Sequence, residues 1–515
     1  MNILSPEQVG DKARQSAKWC FSLHFFHKIV FFICGIILAR ILTPEDFGLA
    51  AISITLDLLT WFVMSFGINA AIVHFQDNME KRLNAAFWMF LIFTSLLSLG
   101  LIVCASLIAE FYSAPIVVHI IIFSAVAFFI QGFGLVHKAI LFREMDFKKI
   151  SILDSSVETL RNISFVVLAF SGFRVWSFIY PKIFIALISV VCLWKMTGWI
   201  PKKEFNFKYW PDMFKYSKNV FLGNILDFIL NNSTHVLIGG MVGPAALGLY
   251  SFANDKSMMM INNVAYPTSM VSFPAYTKLR DHTEKLKEAF ISTIKSLSLV
   301  TFPYTTGQIT LVREYVICFY GSKWEPAVLV FQMLLIYTMI KSVSYAGNAL
   351  LQGIGRPDIV FKWNLFYIPV LLSAIFIGNK AGGIYGIGAL ISVCGSFMAL
   401  GYLVVIFKVL KWSLVSLFEI LLPSLASSVI MASILVMLKA YLKFQNFSDF
   451  LIFFILAITG ILIYFPLLKL TFPGTFNFVF QNIVKLTGRN NSQYRVIDDK
   501  NDKGAFEKKT ETLQS

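Results

Sequence analysis

Apolar stretches of about 20 residues or more, separated by short polar breaks, recur along nearly the whole chain. Each is long enough to cross roughly 30 Å of hydrocarbon as a helix, and a helix keeps its backbone hydrogen bonds within its own segment. The stretches lack the alternation of polar and apolar positions that a transmembrane barrel needs. The pattern places membrane helices at about 19–42, 46–74, 83–109, 115–141, 150–171, 174–197, 214–242, 246–275, 286–310, 326–352, 357–378, 382–410, 413–440 and 447–471. The expected class is therefore an all-α polytopic membrane protein with about fourteen transmembrane helices. The first run begins near Trp19, after a polar leader holding Lys12, Arg14 and Lys18, and continues to about Leu42. It is too long for a signal peptide and has no small-residue cleavage site behind it, so it reads as a retained helix. After Phe472 the chain turns polar, and Asn490–Ser515 is charged and expected to be disordered.

Composition agrees with this pattern. Of 515 residues, 57% are hydrophobic and 14% charged, against about 25% charged in soluble chains. Six cysteines (Cys20, Cys34, Cys104, Cys192, Cys318, Cys394) are scattered singly and read as small packing residues, with no CxxC pair or metal-ligand spacing. Charge orients the set. With the N-terminus cytoplasmic, the inside connections hold Lys81 and Arg82, then Arg143, Lys148 and Lys149. They go on to hold Lys202, Lys203, Lys208, Lys215 and Lys218, then Lys278, Arg280, Lys285 and Lys287. The outside connections hold Arg40, Arg174, Arg313, Lys323, Lys380, Lys439 and Lys443. This asymmetry predicts both termini inside and accounts for the +15 net charge without a nucleic-acid partner.

The chain also repeats itself. Thr43-Pro44-Glu45-Asp46-Phe47-Gly48-Leu49 follows the first helix, and Gly243-Pro244-Ala245-Ala246-Leu247-Gly248-Leu249 follows the seventh, 200 positions later. A weaker echo links Lys138-Ala139-Ile140-Leu141-Phe142-Arg143 to Asn348-Ala349-Leu350-Leu351-Gln352-Gly353. Pro and Gly are common in any membrane hairpin. Both echoes nevertheless fall at corresponding places in two six-helix blocks. An even number of helices starts both blocks on the same side, which makes a parallel repeat. The expected layout is a leader (1–18), a first lobe (19–197), a basic linker (198–213), a second lobe (214–410), two further helices (413–471) and a polar tail (472–515).

Three segments carry a family resemblance. Arg40-Ile41-Leu42-Thr43-Pro44-Glu45-Asp46-Phe47-Gly48-Leu49 resembles the hairpin after the first helix of Wzx-type oligosaccharide flippases. These are the polysaccharide exporters of the multidrug/oligosaccharidyl-lipid/polysaccharide superfamily. Phe142-Arg143-Glu144-Met145-Asp146-Phe147-Lys148-Lys149 resembles their loop after helix 4, and Leu351-Gln352-Gly353-Ile354-Gly355-Arg356-Pro357 their loop after helix 10. The resemblance covers roughly residues 15–470. It implies two lobes around a central cavity and an isoprenoid-diphosphate-linked oligosaccharide as substrate. It also implies transfer of that lipid from the cytoplasmic to the outer leaflet of a bacterial inner membrane, with a polysaccharide polymerase as a further partner.

Ionisable groups at mid-bilayer cost several kcal/mol and usually face a cavity or a partner. Here they are Lys28, Asp57, Asp154, Glu158, Arg161 and Lys182 in the first block. The second block has Asp227, His235, Asp255, Lys256 and Lys341. By the repeat offset Lys28 falls beside Asp227 and Asp57 beside Lys256, so the leading helices of each block carry charge at similar depth with signs exchanged. A cavity lined by Lys28, Asp57, Asp227 and Lys256 follows, its lysines meeting a diphosphate or acidic sugar as point charges. Lys182, after the kink-prone Pro181, and Lys341 are the further cavity candidates. Asp57, Asp227 and Asp255 are candidates for ion coupling or for pairing with the lysines. Interhelical ion pairs holding the lobes together would use the same residue types. Asp154, Glu158 and Arg161 share one helical face near the cytoplasmic end and read as solvated or self-paired. His24 and His27 lack a third ligand, so no metal is expected.

An enzyme of surface-sugar assembly needs a substantial outer domain for its chemistry. The longest outside connection, about Gln308–Glu325, offers no nucleophile–base arrangement, and there is no Walker sequence or cofactor motif. Two other transporters remain. A drug/cation antiporter of the same superfamily typically has twelve helices and an acidic cavity, and a peptidoglycan-precursor flippase shares the fourteen-helix count.

Overall fold

The computed structural model describes residues 26–64, 78–144, 146–205 and 207–477. The expected leader, the first turns of the first helix, the end of the second helix and most of the tail lie outside these residues, as do His24 and Cys20. Among the described residues helices fill most of the stretches where the sequence pattern puts them, and no strand occurs.

We number the helices α1 (26–41), α2 (Pro44–Met64), α3 (Met79–Val103), α4 (Ile116–Gly132), α5 (Phe147–Phe170), α6 (Trp176–Thr197) and α7 (Trp210–Met241). They continue as α8 (Pro244–Ser257), α9 (Thr283–Tyr320) and α10 (Ala327–Ser344). Pro357–Val409 is one apolar rod broken at Gly382 and Gly383, whose φ/ψ are non-helical; its two parts are α11 and α12. Last come α13 (Leu414–Phe444) and α14 (Asp449–Thr471). Six helical segments of the described residues are long and apolar enough to span a membrane, and a seventh if the bent α4 pair counts as one.

Local sequence explains the boundaries. Thr43 and Asp46 form a capping box at the start of α2. The Asp46 carboxylate accepts from the Thr43 N–H at 3.0 Å, and Thr43 Oγ1 accepts from the Asp46 N–H at 3.2 Å. Pro44 takes the first helical position, where its missing N–H costs nothing. At the equivalent start of α8 the box is absent; Gly243, at φ 108°, turns the chain into Pro244. Asp146 caps α5 by accepting from the Lys149 N–H at 3.2 Å. The weaker echo of the repeat is visible too. α4 bends by 45° into a short helix, Leu135–Arg143, and α10 is followed across Tyr345 by another, Ala346–Gly353.

The described residues fall into two compact units. One takes the chain up to Met259 with Val312–Lys341 and Gly355–Tyr402; the other takes Met260–Leu311, Ser342–Ile354 and the chain from Leu403. In the second unit a π turn (Ile261–Ala265) leads into the helix Tyr266–Leu279, which packs on Ala346–Gly353. A Cβ on Gly353 would lie 3.0 Å from that of Tyr276, so the small residue sets this approach. In the same unit α13 and α14 pack around Leu435, Leu456 and Leu468, and Ser298 and Ser424 bond at 3.0 Å.

The first unit is organised about the crossing of α2 and α8. Gly48 and Gly248, the glycines of the two repeat motifs, lie against each other's helix. A Cβ on Gly48 would collide with the carbonyl of Pro244, and one on Gly248 with the carbonyl of Pro44. The repeat seen in sequence is thus a self-complementary contact in space. Residues Asp57 and Lys256 follow their glycines by nine and eight positions, about two turns from the crossing.

Candidate functional site

Lys182 of α6 sits in a bonded charged cluster of the first unit. Its side chain is 11% exposed, and its ammonium lies 2.6 Å from Asp57 Oδ2, 2.5 Å from Ser53 Oγ and 3.1 Å from Ser124 Oγ. Ser53 and Asp57 are one turn apart on α2, Ser124 comes from α4, and Pro181 precedes the lysine on α6. Three donors on the ammonium meet three oxygens, which is what a cation taken out of water needs. Asp57 itself is 46% exposed, so the pair has one buried partner and one that faces outward. Beside it, α5 and α6 flank an apolar groove of about 370 Å³ lined by Ile163, Val167, Leu168, Tyr180, Pro181 and Phe184.

The second-block cations rest on aromatic rings. The Lys256 ammonium stands 5.9 Å from the Phe252 ring centre and 5.4 Å from that of Tyr320. The Lys341 ammonium stands 5.1 Å from the Tyr337 ring, whose hydroxyl meets that of Tyr367 at 3.4 Å. Such contacts stabilise a cation by about 0.5–2 kcal/mol, less than an anion in the same place would. Asp255 is exposed beside Lys256 on α8, and no carboxylate bonds Lys256 among the described residues.

Phe252 and Tyr320 belong to a larger plug. Trp324, fully buried, stacks on Phe252 at 4.4 Å and meets Phe47 edge-on at 4.9 Å, while its Nε1 donates to the Ala39 carbonyl at 2.9 Å. Two charges close the rim in a reciprocal way. Lys323 donates to the carbonyls of Arg40 and Leu42, at the C-terminus of α1, at 2.8 and 2.5 Å. Arg40 donates to the carbonyls of Phe319 (2.9 Å) and Cys318, at the C-terminus of α9. Each helix end presents unsatisfied carbonyls and a negative dipole, and each is met by a cation from the other hairpin. Arg174 adds a contact to Asp46 at 3.4 Å.

The structure brings Asp57 together with Lys182, and it places Lys256 one turn from the aromatic plug. Lys28 on α1 and Asp227 on α7 are exposed. The α5 face is paired, with Glu158 on Arg161 and Asp154 on Lys138 at 2.9 Å. Sequence reasoning missed Ser53, Ser124, Trp324 and the capping roles of Arg40 and Lys323. Ser53 carried a signal, standing four residues before Asp57 on the same helical face. The partners from α4 and the 312–326 segment carried none.

A family profile described as polysaccharide biosynthesis protein matches residues 37–329. The chain is 24% identical to the succinoglycan biosynthesis transport protein ExoT of Rhizobium meliloti (strain 1021), over 73% of this chain and 76% of that one. It is 24% identical to the lipopolysaccharide biosynthesis protein WzxC of Escherichia coli (strain K12), over 68% and 72%. Against the teichuronic acid biosynthesis protein TuaB of Bacillus subtilis (strain 168), identity is 25% over 62% of this chain and 67% of the relative. In fold it is similar to the lipid II flippase MurJ in an inward closed conformation, with TM-score 0.72, 16% identity, and 88% and 99% of the two chains covered. An inward-facing multidrug transporter of the MATE family follows at TM-score 0.53 and 16% identity, covering 75% and 94%. The profile covers more than half of the sequence, and the chain belongs to the polysaccharide biosynthesis protein family, with relatives named for succinoglycan, lipopolysaccharide and teichuronic acid biosynthesis.

Proposed function

We propose that the protein is a flippase that moves an isoprenoid-diphosphate-linked oligosaccharide from the cytoplasmic to the outer leaflet of a bacterial inner membrane. Both termini are cytoplasmic in this reading, and a polysaccharide polymerase uses the product outside. The observation that carries it is Lys256, a cation held by rings, in a chain of the polysaccharide biosynthesis protein family, one relative of which is named a succinoglycan biosynthesis transport protein. A diphosphate gives the ammonium the charged oxygens that the rings of Phe252 and Tyr320 do not.

The chemistry of transport then follows from the chain's own residues. The diphosphate-sugar head approaches Lys256 and Lys341, and the apolar groove beside Pro181 suits an isoprenoid tail. Drawing Lys256 off Phe252 and Tyr320 loosens the plug around Trp324, and the helix-end contacts of Arg40 and Lys323 part as the lobes rock. Asp57, half-exposed and bonded to Lys182, is the group placed to accept a coupling ion or proton. The protein acts without making or breaking a covalent bond of its cargo.

The test is complementation of export by a Lys28→Gln/Lys256→Gln variant present at normal levels. Surface polysaccharide should be lost, and it should return with Lys256→Arg on the otherwise unchanged chain. Normal export by the double glutamine variant would remove these lysines from the transport path.

A further inference from the structure

The connection between α6 and α7 is held down. The Lys202 backbone N–H donates to Asn84 Oδ1 at 2.8 Å, and Trp88 Nε1 donates to the Lys202 carbonyl at 2.8 Å. Trp210 Nε1 donates to the Ala85 carbonyl at 3.2 Å, and His137 Nε2 lies 3.3 Å from the Trp199 carbonyl. Lys202 pairs with Glu80 at 2.6 Å, and the Arg82 guanidinium lies 4.8 Å from the Tyr209 ring centre. Groups of α3 and His137 thus fix a strap, described at 199–205 and 207–210, to the end of the helices they belong to.

A strap fixed this way would ordinarily bury its large apolar residues. This one does not. Ile200 is 73% exposed, Phe207 58% and Phe205 49%. Phe205 rests on Trp88 at 4.7 Å and Phe207 on Trp210 at 4.8 Å, so the rings are supported from beneath while their outer faces stay bare. Lys203 and Lys208 are exposed on the same short connection and bond to no carboxylate among the described residues. Exposed aromatics at the end of membrane helices, interleaved with exposed lysines, match the water–hydrocarbon boundary of a bilayer. Rings enter the acyl region while the ammonium groups stay at the level of the headgroup phosphates.

We propose that Lys203, Phe205, Phe207 and Lys208 of this strap form a docking surface for anionic phospholipid, with the two lysines on the headgroup phosphate and the two rings on the acyl chains. It is independent of the transport path, because none of these residues contacts Lys182, Lys256 or Lys341. The lipid would brace the segment that leads directly into α7.

The experiment uses the full-length protein in neutral detergent. Short-chain phosphatidylglycerol is titrated against phosphatidylcholine of the same chain length, and occupancy is read by native mass spectrometry. Each lysine near a headgroup is worth about fivefold in binding, so Lys203→Gln/Lys208→Gln should weaken the tightest phosphatidylglycerol site about thirtyfold. Lys203→Arg/Lys208→Arg should restore it, and Phe205→Ser/Phe207→Ser should weaken both lipids. Both lysines are exposed, so the glutamine variant should keep the wild-type melting temperature. Unchanged phosphatidylglycerol affinity in that variant, or equal wild-type affinity for both lipids, would overturn the assignment.

Discussion

Replacing Gly48 or Gly248 by alanine is the most direct probe of how the two repeat motifs meet. A Cβ on Gly48 would lie 2.5 Å from the Pro244 carbonyl carbon, and one on Gly248 would lie 2.8 Å from that of Pro44. Carbon atoms rest at about 3.5–4.0 Å, so the helices must part by about 1 Å at the crossing. The obstructing atoms are backbone in both cases, and no side-chain rotation relieves them. Overpacking of this kind costs about 1–3 kcal/mol, set against a gain in intrinsic helix propensity of up to about 1 kcal/mol. Each single variant should therefore melt below wild type in detergent, followed by fluorescence-detected size exclusion. The two changes act on one displacement. Once α2 and α8 have parted for the first methyl, the second meets less resistance, so the double variant should cost less than the sum by about 0.5 kcal/mol or more. Gly35→Ala is the control, since a Cβ there meets nothing within 4 Å. Wild-type melting in both single variants, or strict additivity in the double, would refute the face-to-face crossing.

Three other outcomes follow from the site. Asp57→Asn strips a nearly buried ammonium of its carboxylate; a buried pair broken this way loses about 3–5 kcal/mol, and the exposure of Asp57 reduces that to about 1–2 kcal/mol. Lys182→Met removes the cation itself and should melt higher than Asp57→Asn, and the reverse order would contradict the bonding described. Trp324→Ala should destabilise the protein by about 3–5 kcal/mol, because a fully buried indole and its bond to Ala39 are both lost; a melting shift near zero would show the plug is not a packed core. Lys323→Gln removes a charge from the α1 C-terminus, and labelling of Cys318 by an impermeant maleimide should speed up about tenfold, as for a loss of about 1.4 kcal/mol of closing energy. Unchanged labelling would mean that the reciprocal capping does not hold the rim shut.

Much of the architecture was legible because one period dominates: long apolar runs admit a single backbone solution in lipid. The Pro44 and Pro244 hairpins were readable because the chain writes them twice, whereas the apolar pattern ran straight through the breaks before Leu135–Arg143 and Ala346–Gly353. What a repeat offset cannot supply is the third helix. Position arithmetic made Asp57 and Lys256 equivalent positions and left open which lysine the carboxylate meets; the structure gives it Lys182 of its own block, 125 residues along the chain. An ammonium takes the oxygens that packing delivers, and Ser124 comes from a helix whose sequence around it is otherwise apolar. Arg40 and Lys323 were legible only as outside charges. Their role depends on two helix ends meeting, a fact of tertiary structure. Trp324 carried no signal in the sequence, because its place depends on Phe47, Phe252 and Ala39 from other helices.

The central claim is that the cargo is a diphosphate-linked oligosaccharide and that this chain carries it across the membrane. The measurement that bears on it most directly is the lipid pool of cells lacking the protein, with the two leaflets distinguished by enzymatic accessibility. The account predicts a diphosphate-linked oligosaccharide held on the cytoplasmic side, surface polysaccharide missing, and both corrected by the wild-type chain. An unchanged lipid pool, with normal surface polysaccharide and altered resistance to cationic drugs, would contradict it and make the protein a drug/cation antiporter. Accumulation of the peptidoglycan precursor instead would keep the flipping and replace the cargo.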